Sequence, residues 1–351
     1  MQLIFDGHND VLLRLWENAQ KGADPIAEFL DGTDKGHIDA PRAGKGGLAG
    51  GFCAMFIPPV EDYPHRDVDA NGHYNIPMVG PRAHADALDI ALAMTDIAVR
   101  LEQAGGLAIC RATGEIRAAM EQGRFAAVLH IEGCEPIAED LSNLETFYAN
   151  GLRSLGPVWS RHNLFGHGVP FAFPSSPDTG PGLTDAGVEL VKACDRLGIM
   201  IDLAHITEQG FWDIARESSQ PLVATHSNAH ALTPISRNLT DRQLDAIRER
   251  KGIAGLNYAT TMLRPDGLEN PETPLSDMVR HIDHMVERMG IDCVALGSDF
   301  DGATIPAAIH DAAGGQALVA ALRQAGYGEE DLTKLCRENW LRLLKTVWRE
   351  A

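Results

Sequence analysis

The chain has 351 residues, of which 44% are hydrophobic and 23% are charged, which is typical of a globular protein with a large core. Its formal net charge of −19 argues against nucleic acid as a partner, because phosphate binding requires clustered lysine and arginine. No apolar run reaches transmembrane length, and the amino terminus lacks the basic start and apolar stretch of a signal peptide. We therefore expect a cytoplasmic protein that has no membrane partner.

Short apolar runs alternate with stretches of helical periodicity along the chain. The apolar runs predict parallel strands, because strands that are covered on both faces read as continuous apolar segments. Eight strands are predicted, at residues 3–6, 51–57, 126–131, 152–158, 199–203, 222–225, 253–257 and 294–297. Helices are predicted at residues 82–103, 184–197, 208–217, 241–250, 276–289 and 331–349.

This alternation predicts an α/β fold, and eight strand–helix units are what a (β/α)8 TIM barrel requires. The length suits a single domain, residues 1–351, with loop insertions at 14–47, 58–81 and 156–183 that are rich in glycine and proline. Long loops of this kind are often functional lids. The alternative is an open doubly wound sheet, although no G-x-G-x-x-G motif follows the first strand, which weakens a dinucleotide-binding version of that fold.

Histidines and carboxylates follow the carboxyl ends of several predicted strands. In a barrel these ends meet at one face, where the active site lies. His8 and Asp10 follow the first strand, and residues i and i+2 of an extended segment point the same way. The other strand ends carry Glu132, His205, His226 and Asp299. We therefore expect these side chains to converge.

Each of these signals is weak by itself. A lone His205 or His226 is more often a hydrogen-bonded core residue, and Glu132 needs either an arginine or a metal, because burying an unpaired carboxylate is costly. Together, however, three imidazoles and two carboxylates form a mixed nitrogen and oxygen set that suits Zn²⁺ or a similar ion. Five ligands exceed what one tetrahedral zinc with an open position needs, whereas two ions that share a carboxylate use them well.

Several collinear segments carry a resemblance to a known family. They are DGHND at 6–10, GGLAGGFCAMFIP at 46–58, AAVLHIEG at 126–133, GLTDAGVELVKACDRLGIMIDLAHIT at 182–207, ATHSNAHAL at 224–232, SRN at 236–238 and HIDHMVERMGIDCVALGSDFDG at 281–302. In this order they resemble the membrane (renal) dipeptidases and their bacterial relatives, within the amidohydrolase superfamily of metal-dependent barrels. The resemblance covers nearly the whole chain.

The resemblance implies a dipeptidase that holds two Zn²⁺ ions per chain. His8 and Asp10 would bind one zinc, His205 and His226 the second, and Glu132 would bridge both. A hydroxide between the two ions would then attack the peptide carbonyl of a dipeptide. The family accepts a D-residue at the carboxyl-terminal position, so L-D dipeptides are candidate substrates. Relatives are often dimers, which makes a homodimer a candidate assembly, although the sequence itself does not determine the oligomeric state.

The resemblance also implies roles for three further residues. Asp299 would act as general acid and base, Arg237 would receive the terminal carboxylate of the dipeptide, and His162 would contact the carbonyl oxygen. The match is imperfect at His162, where Arg161 replaces the family's threonine, so His167 is the alternative. Arg161 itself is expected to be a solvated loop residue.

Two other functions remain open. The same binuclear site would suit another amidohydrolase reaction, such as N-acyl amino acid deacylation, lactone hydrolysis or deamination, since one barrel supports many chemistries. The mononuclear deaminases of this superfamily use His-x-His after the first strand, whereas this chain has His8-Asn9-Asp10. The other hypothesis is a binding protein without activity, which the retention of all five ligand positions disfavours. Arg237 favours the dipeptide.

Overall fold

A computed structural model describes residues 1–350 of the chain. The strands of this part are β1 (Ile4–Asn9), β2 (Leu48–Phe56), β3 (Tyr74–Ile76), β4 (Leu107–Ile109), β5 (Phe125–Glu132), β6 (Leu152–Gly156), β7 (Phe171–Phe173), β8 (Met200–Ile201), β9 (Val223–Ala224), β10 (Ile253–Leu256) and β11 (Val294–Leu296). The helices are α1 (Val11–Gln20), α2 (Pro25–Asp31), α3 (Ala40–Gly46), α4 (His84–Gln103), α5 (Thr113–Glu121), α6 (Leu144–Ala149), α7 (Asp185–Leu197), α8 (Glu208–Glu217), α9 (Asp241–Glu249), α10 (Thr260–Leu263), α11 (Leu275–Met289), α12 (Gly315–Gln324), α13 (Glu329–Thr333) and α14 (Asn339–Val347).

The architecture is an α/β fold built on parallel strands that curl as a half-barrel. One sheet has the order β1-β2-β5-β6-β8, with β4 added beside β5, and a second sheet has the order β11-β10-β9. Two isolated parallel bridges lie between these sheets, Asp202 with Val223 and Asn9 with Phe300. The backbone amide of Leu203 donates to the carbonyl of Val223 at 2.7 Å, and the backbone amide of Asp10 donates to the carbonyl of Phe300 at 2.8 Å.

All eight predicted strands are present, as are the six predicted helices, the last one divided into α13, a π-helical turn (Lys334–Glu338) and α14. Strands β3, β4 and β7 were missed because three-residue strands carry too little periodic signal. The prediction of a loop insertion at 14–47 was wrong, since α1, α2 and α3 occupy most of this segment. Its proline and glycine residues mark helix ends instead, as Pro25 follows the cap Asp24 and Gly32 ends α2.

An apolar layer closes the interior below the carboxyl ends of the strands. The ring of Trp340, from α14, is fully buried and lies 5.3 Å from that of Phe52, which in turn lies 5.6 Å from Phe5. The indole nitrogen of Trp340 donates to the carbonyl of Leu296 at 3.0 Å, so its polar atom is satisfied. A Cβ atom at Gly7 would lie 2.6 Å from this ring, and the absence of a side chain there lets the indole enter.

Three helices begin with threonine caps. Thr184, Thr207 and Thr240 each accept a backbone amide at the start of α7, α8 and α9, and Gln243 completes a capping box on α9. The loops that lead from β6, β8 and β9 to these helices carry the polar residues considered below. No helix among residues 1–350 combines the length and apolar character needed to cross a membrane.

Candidate metal centre

The strand ends bring the five predicted ligands into one buried cluster. His8 lies near the end of β1 and Asp10 directly precedes α1, while Glu132 is the last residue of β5. His205 and His226 follow β8 and β9 within a few residues. Because these strands run parallel, their carboxyl ends face the same side of the sheet. The side chains of the five predicted ligands are at most 6% exposed.

Glu132 stands at the centre of this cluster. Its Oε1 lies 3.1 Å from His205 Nε2 and 3.5 Å from His226 Nε2, and its Oε2 lies 3.7 Å from His8 Nε2. Asp10 Oδ2 lies 3.3 Å from the same nitrogen of His8. The two nitrogens His205 Nε2 and His226 Nε2 face each other at 3.1 Å. One carboxylate therefore reaches three imidazoles.

The donor atoms of this cluster fit a metal. Neither ring nitrogen of His8 has a hydrogen-bond partner within residues 1–350, although the ring is buried. Burial lowers the pKa of His205 and of His226 well below the ordinary value, so both rings are neutral, as metal ligands must be. Burial also raises the pKa of Glu132 to about 8, because a buried carboxylate charge is costly without a nearby cation.

The pKa of His8 also reflects the negative charge of the nearby carboxylates. Burial by itself lowers its pKa, but the charges of Glu132 and Asp10 outweigh burial and raise that pKa to about 10. A divalent cation held by these side chains would offset this negative charge. The residues present therefore suit a buried metal centre of mixed nitrogen and oxygen ligands.

Asp299 lies beside this centre and within reach of it. The candidate ligand atoms of His8, Asp10 and Asp299 lie within 4.8 Å of one another. Asp299 Oδ2 accepts a hydrogen bond of 2.8 Å from the side-chain amide nitrogen Nδ2 of Asn257. Desolvation raises the pKa of Asp299 above its ordinary value. Its φ is +60° and that of His205 is +67°, a region that non-glycine residues rarely adopt and that is concentrated at functional sites.

Gly302 leaves room for two of these carboxylates. A Cβ atom there would overlap Asp10 Oδ2 and lie 2.6 Å from Asp299 Oδ1. We expect Gly302→Ala to weaken metal binding by about 10- to 100-fold, because both carboxylates must move aside, measured by chelator competition with the folded protein. The control is Gly44→Ala on the exposed face of α3, where nothing lies within 4 Å of an added Cβ. Equal metal affinity for the two variants would contradict this prediction.

Hydrogen bonds behind the cluster orient two of its histidines. Thr225 Oγ1 donates to Asp202 Oδ2 at 2.6 Å and lies 2.7 Å from His226 Nδ1. Since the single hydroxyl proton goes to Asp202, Nδ1 of His226 is the donor in the second contact. Its Nε2 lone pair then faces Glu132. Ser160 Oγ, 2.8 Å from His205 Nδ1, holds the other ring in the same way.

The Thr225 hydroxyl is therefore expected to control the tautomer of His226. We expect Thr225→Val, which keeps the side-chain shape but removes the hydroxyl, to weaken zinc binding by about 10- to 100-fold. The folded state should lose about 1–3 kcal/mol of stability as well, because Asp202 Oδ2 loses the hydroxyl that donates to it. Thr225→Ser retains the hydroxyl and should restore both quantities, measured by zinc titration and by urea unfolding. The interpretation fails if valine and serine behave alike.

Arg237 is a buried cation without a charged partner. It is 4% exposed, its Nη1 lies 3.3 Å from Ser227 Oγ, its Nη2 lies 3.3 Å from the carbonyl of His226, and its Nε has no partner. Among residues 1–350 no carboxylate forms an ion pair with it. Burial lowers its pKa to about 10, while the charges of Asp299 and Glu132 oppose that shift, so the guanidinium stays charged at neutral pH. A carboxylate supplied by a ligand would satisfy it.

His162 lies apart from the cluster. Its side chain is exposed and its ring lies 4.6 Å from that of His167, whose Nδ1 is 2.9 Å from the carbonyl of Gly182. Within residues 1–350 neither ring contacts a predicted ligand. In the same loop Trp159 is the residue that reaches the site, with its ring 5.7 Å from that of His205. The only sequence signal for Trp159 was its place just after a predicted strand.

Arg161 was expected to be solvated, and this prediction was wrong. The side chain is fully buried, its Nε donates to Glu135 Oε1 at 2.5 Å, and its Nη2 donates to the carbonyl of Ile57 at 2.7 Å. Sequence reasoning could not anticipate this burial, because the partner Glu135 lies 26 residues away on a different loop.

The parallel α/β fold and the buried cluster of histidines and carboxylates at the strand ends are typical of amidohydrolase-type, metal-dependent enzymes. The family model described as membrane dipeptidase, peptidase family M19, matches residues 1–351. The chain belongs to this metallopeptidase family.

Related proteins match over most of the chain. The crystal structure of dipeptidase AC, a metallopeptidase of family M19, is 48% identical and superimposes with a TM-score of 0.92 over 99% of both chains. A metallopeptidase from Rhodobacter sphaeroides is 47% identical, with a TM-score of 0.93 over 99% of this chain and 100% of that chain, and is liganded with a phosphinate mimic of the dipeptide L-Ala-D-Ala. An uncharacterized protein in the pqqA 5′ region of Klebsiella pneumoniae is 48% identical over 267 residues, 76% of this chain and 98% of that protein.

Proposed function

We propose that this protein is a zinc-dependent dipeptidase that hydrolyses the single peptide bond of a dipeptide with two Zn²⁺ ions. The observation that carries the proposal is the position of Glu132, whose two oxygens reach His8, His205 and His226 in a buried cluster. Membership of the membrane dipeptidase family supports the reaction. The unpaired Arg237 supports a substrate with a free carboxylate.

The scaffold we propose is a closed (β/α)8 barrel formed by one domain, residues 1–351. The order of the strands supports closure, since β1 and β8 are the outer strands of one sheet and β11 and β9 those of the other. The bridges of Asp202 with Val223 and of Asn9 with Phe300 lie at the two seams between these sheets. A closed ring places every strand end around the metal centre and leaves no unpaired edge.

Two Zn²⁺ ions would use all five side chains. His8 and Asp10 would hold one ion, His205 and His226 the other, and Glu132 would bridge them, as the mixed nitrogen and oxygen set allows. When bound, such a pair lowers the pKa of a shared water and polarises a carbonyl oxygen.

The residues of the chain would then bind the substrate and move its protons. Arg237 would bind the terminal carboxylate, which restricts the enzyme to short substrates, because a longer peptide has no carboxylate at that distance. Asp299 would take the proton of the attacking water and pass it to the leaving amine, while the amide of Asn257 holds its carboxylate in place. His162 stays a proposal for the carbonyl oxygen, and its exposed position requires an inward movement of its loop.

We further propose a cytoplasmic homodimer that acts on L-D dipeptides and has no nucleic-acid or membrane partner. The net charge of −19 supports the absence of nucleic acid. The L-Ala-D-Ala mimic bound by the Rhodobacter sphaeroides relative supports the L-D preference. A matched set of L-L and L-D dipeptides tests it, and cleavage of L-L dipeptides alone would exclude it.

The experiment that tests the function combines metal analysis with three substrates. Zinc-loaded protein is expected to contain two Zn²⁺ per chain and to hydrolyse L-Ala-D-Ala. The carboxyl-terminal amide of the same dipeptide should have a kcat/KM lower by about 10- to 100-fold, because the contact of Arg237 with a charged group is lost. Equal turnover of the amide would contradict the role of Arg237. Turnover of N-acetyl-alanine without dipeptide hydrolysis would favour the alternative deacylase.

A further inference from the structure

We propose that four aromatic residues beside the metal centre, Phe56, Tyr63, Trp159 and Phe171, form the subsite for the side chain of the amino-terminal residue of the dipeptide. This aromatic wall would make the enzyme prefer dipeptides whose first residue is apolar and larger than alanine. The inference rests on the proposed function, since it concerns the same site and names the class of substrate that the site selects.

The aromatic wall is built around Trp159. The ring of Trp159 lies 5.1 Å from that of Phe56, 5.8 Å from that of Tyr63 and 5.5 Å from that of Phe171. These contacts join the end of β2, the loop after it, the loop that follows β6 and the start of β7. Edge-to-face contacts of this kind hold the rings in a defined arrangement, as a specific subsite requires.

The aromatic wall also touches the metal centre. The ring of His205 lies 5.7 Å from that of Trp159 and 6.2 Å from that of Phe171. Phe56 is the register partner of Glu132 in the pairing of β2 with β5. A group held against these rings is therefore next to the atoms that would act on the peptide bond.

Part of the aromatic wall faces solvent, although its rings are apolar. Phe56 is 4% exposed, Trp159 and Phe171 are partly buried, and Tyr63 is 55% exposed. Tyr63 is among the few large apolar side chains of residues 1–350 that are exposed to solvent. An apolar substrate side chain would cover these rings and remove their surface from water, which favours binding.

The charge behind the aromatic wall is already neutralised. Arg161 is fully buried, lies 5.7 Å from the rings of both Phe56 and Trp159, and is paired with Glu135. One nitrogen of its guanidinium, Nη1, has no partner, but it is covered by protein and out of reach of solvent. An acidic substrate side chain would therefore lose its water and gain no accessible cation, and we expect the subsite to reject it.

The positions of the aromatic wall and of Arg237 decide which end of the dipeptide each receives. Arg237 contacts Ser227 and the carbonyl of His226, on the loop that follows β9. Phe56, at the end of β2, belongs to the sheet that does not contain β9, and Tyr63 lies in the loop after β2, whereas Phe171 lies nearer to Arg237, because its neighbour Ala172 donates to Ser236 Oγ. A dipeptide with its carboxylate on Arg237 and its peptide bond at the cluster therefore directs its amino-terminal residue to the wall.

The test is a comparison of kcat/KM for four dipeptides with the zinc-loaded full-length enzyme. The substrates are L-Leu-D-Ala, L-Ala-D-Ala, L-Glu-D-Ala and the reversed pair L-Ala-D-Leu. The wild type should favour L-Leu-D-Ala over L-Ala-D-Ala by about 10-fold or more, the ratio expected for added methylene groups in an apolar pocket, and should disfavour L-Glu-D-Ala. Trp159→Ala should bring the leucine-to-alanine ratio close to one and leave the ratio for the reversed pair unchanged.

Trp159→Phe keeps an apolar ring and should retain an intermediate preference, which covers the case that the alanine variant does not fold. The matched control is Trp212→Phe on α8, where the indole packs under Arg242. Three results would overturn the inference alone: an unchanged ratio in both Trp159 variants, a preference for L-Glu-D-Ala, or an effect confined to L-Ala-D-Leu. Failure of the zinc-loaded wild type to hydrolyse any of the four would overturn the proposed function as well.

Discussion

Replacement of Glu132 by glutamine is expected to remove zinc from both sites and to lower kcat/KM by more than about 100-fold. Glutamine has almost the same shape, so the change removes the charge and one strong ligand oxygen and leaves the volume in place. The loss should reach both ions, because the two oxygens of Glu132 face His8 on one side and His205 with His226 on the other. Loss of an indirect supporting residue costs about 10- to 100-fold, so loss of a shared ligand should exceed it.

Two measurements separate this loss from unfolding. Zinc per chain should fall from two toward zero, and added zinc should raise the melting temperature of the wild type but not that of the variant. The control is Glu135→Gln, a buried glutamate whose partner is Arg161. That change should cost about 3 kcal/mol of folding stability, because it leaves a buried charge unpaired, but zinc should remain bound. Full zinc occupancy in Glu132→Gln would exclude the bridging role.

Substitution of Asp299 by asparagine is expected to lower kcat by about 100- to 10,000-fold while zinc remains bound. The carboxylate of Asp299 accepts the amide of Asn257 and stands within 4.8 Å of the ligand atoms of His8 and Asp10. It is therefore placed to receive a proton at the centre. Asparagine has the same size but cannot take up that proton, so binding of the dipeptide should change much less than its turnover.

The control for Asp299 is Asp301→Asn, two residues along the same loop. Asp301 Oδ2 lies 3.1 Å from Arg14 Nε, so this carboxylate supports the structure from the other side of the loop. Its replacement should lower stability and leave kcat within about a factor of ten. If Asp299→Asn lost zinc as readily as Glu132→Gln, Asp299 would be a ligand and the acid–base assignment would be wrong.

Much of the scaffold was predictable because its signals are local. The apolar runs at 126–131 and 294–297, for example, correspond to β5 and β11, because a strand that is buried on both faces has a continuous apolar sequence. The convergence of His8, Glu132 and His226 also followed from the sequence, because each stands just at or after a strand end and parallel strands share one carboxyl face.

The loops behaved differently, because their conformation depends on partners distant in sequence. Trp159 reaches His205 while His162, three residues later, faces outward, and no periodicity distinguishes the two positions. Arg161 is buried because Glu135 and the carbonyl of Ile57 receive its donors. Such contacts join loops that are distant in sequence, and neither loop has a periodic sequence pattern that would predict the contact.

By itself, the sequence determined the parallel α/β scaffold, the strand ends that carry the polar residues and the family to which the chain belongs. Only the tertiary structure decided that Glu132 stands between three imidazoles, that Thr225 and Asp202 orient His226, and that the buried Arg237 forms no ion pair with a carboxylate of residues 1–350. The physical reason is the separation in sequence of the residues involved. Burial repeats periodically along a strand and is therefore visible in its local sequence, whereas the partner of a buried polar atom comes from another part of the chain.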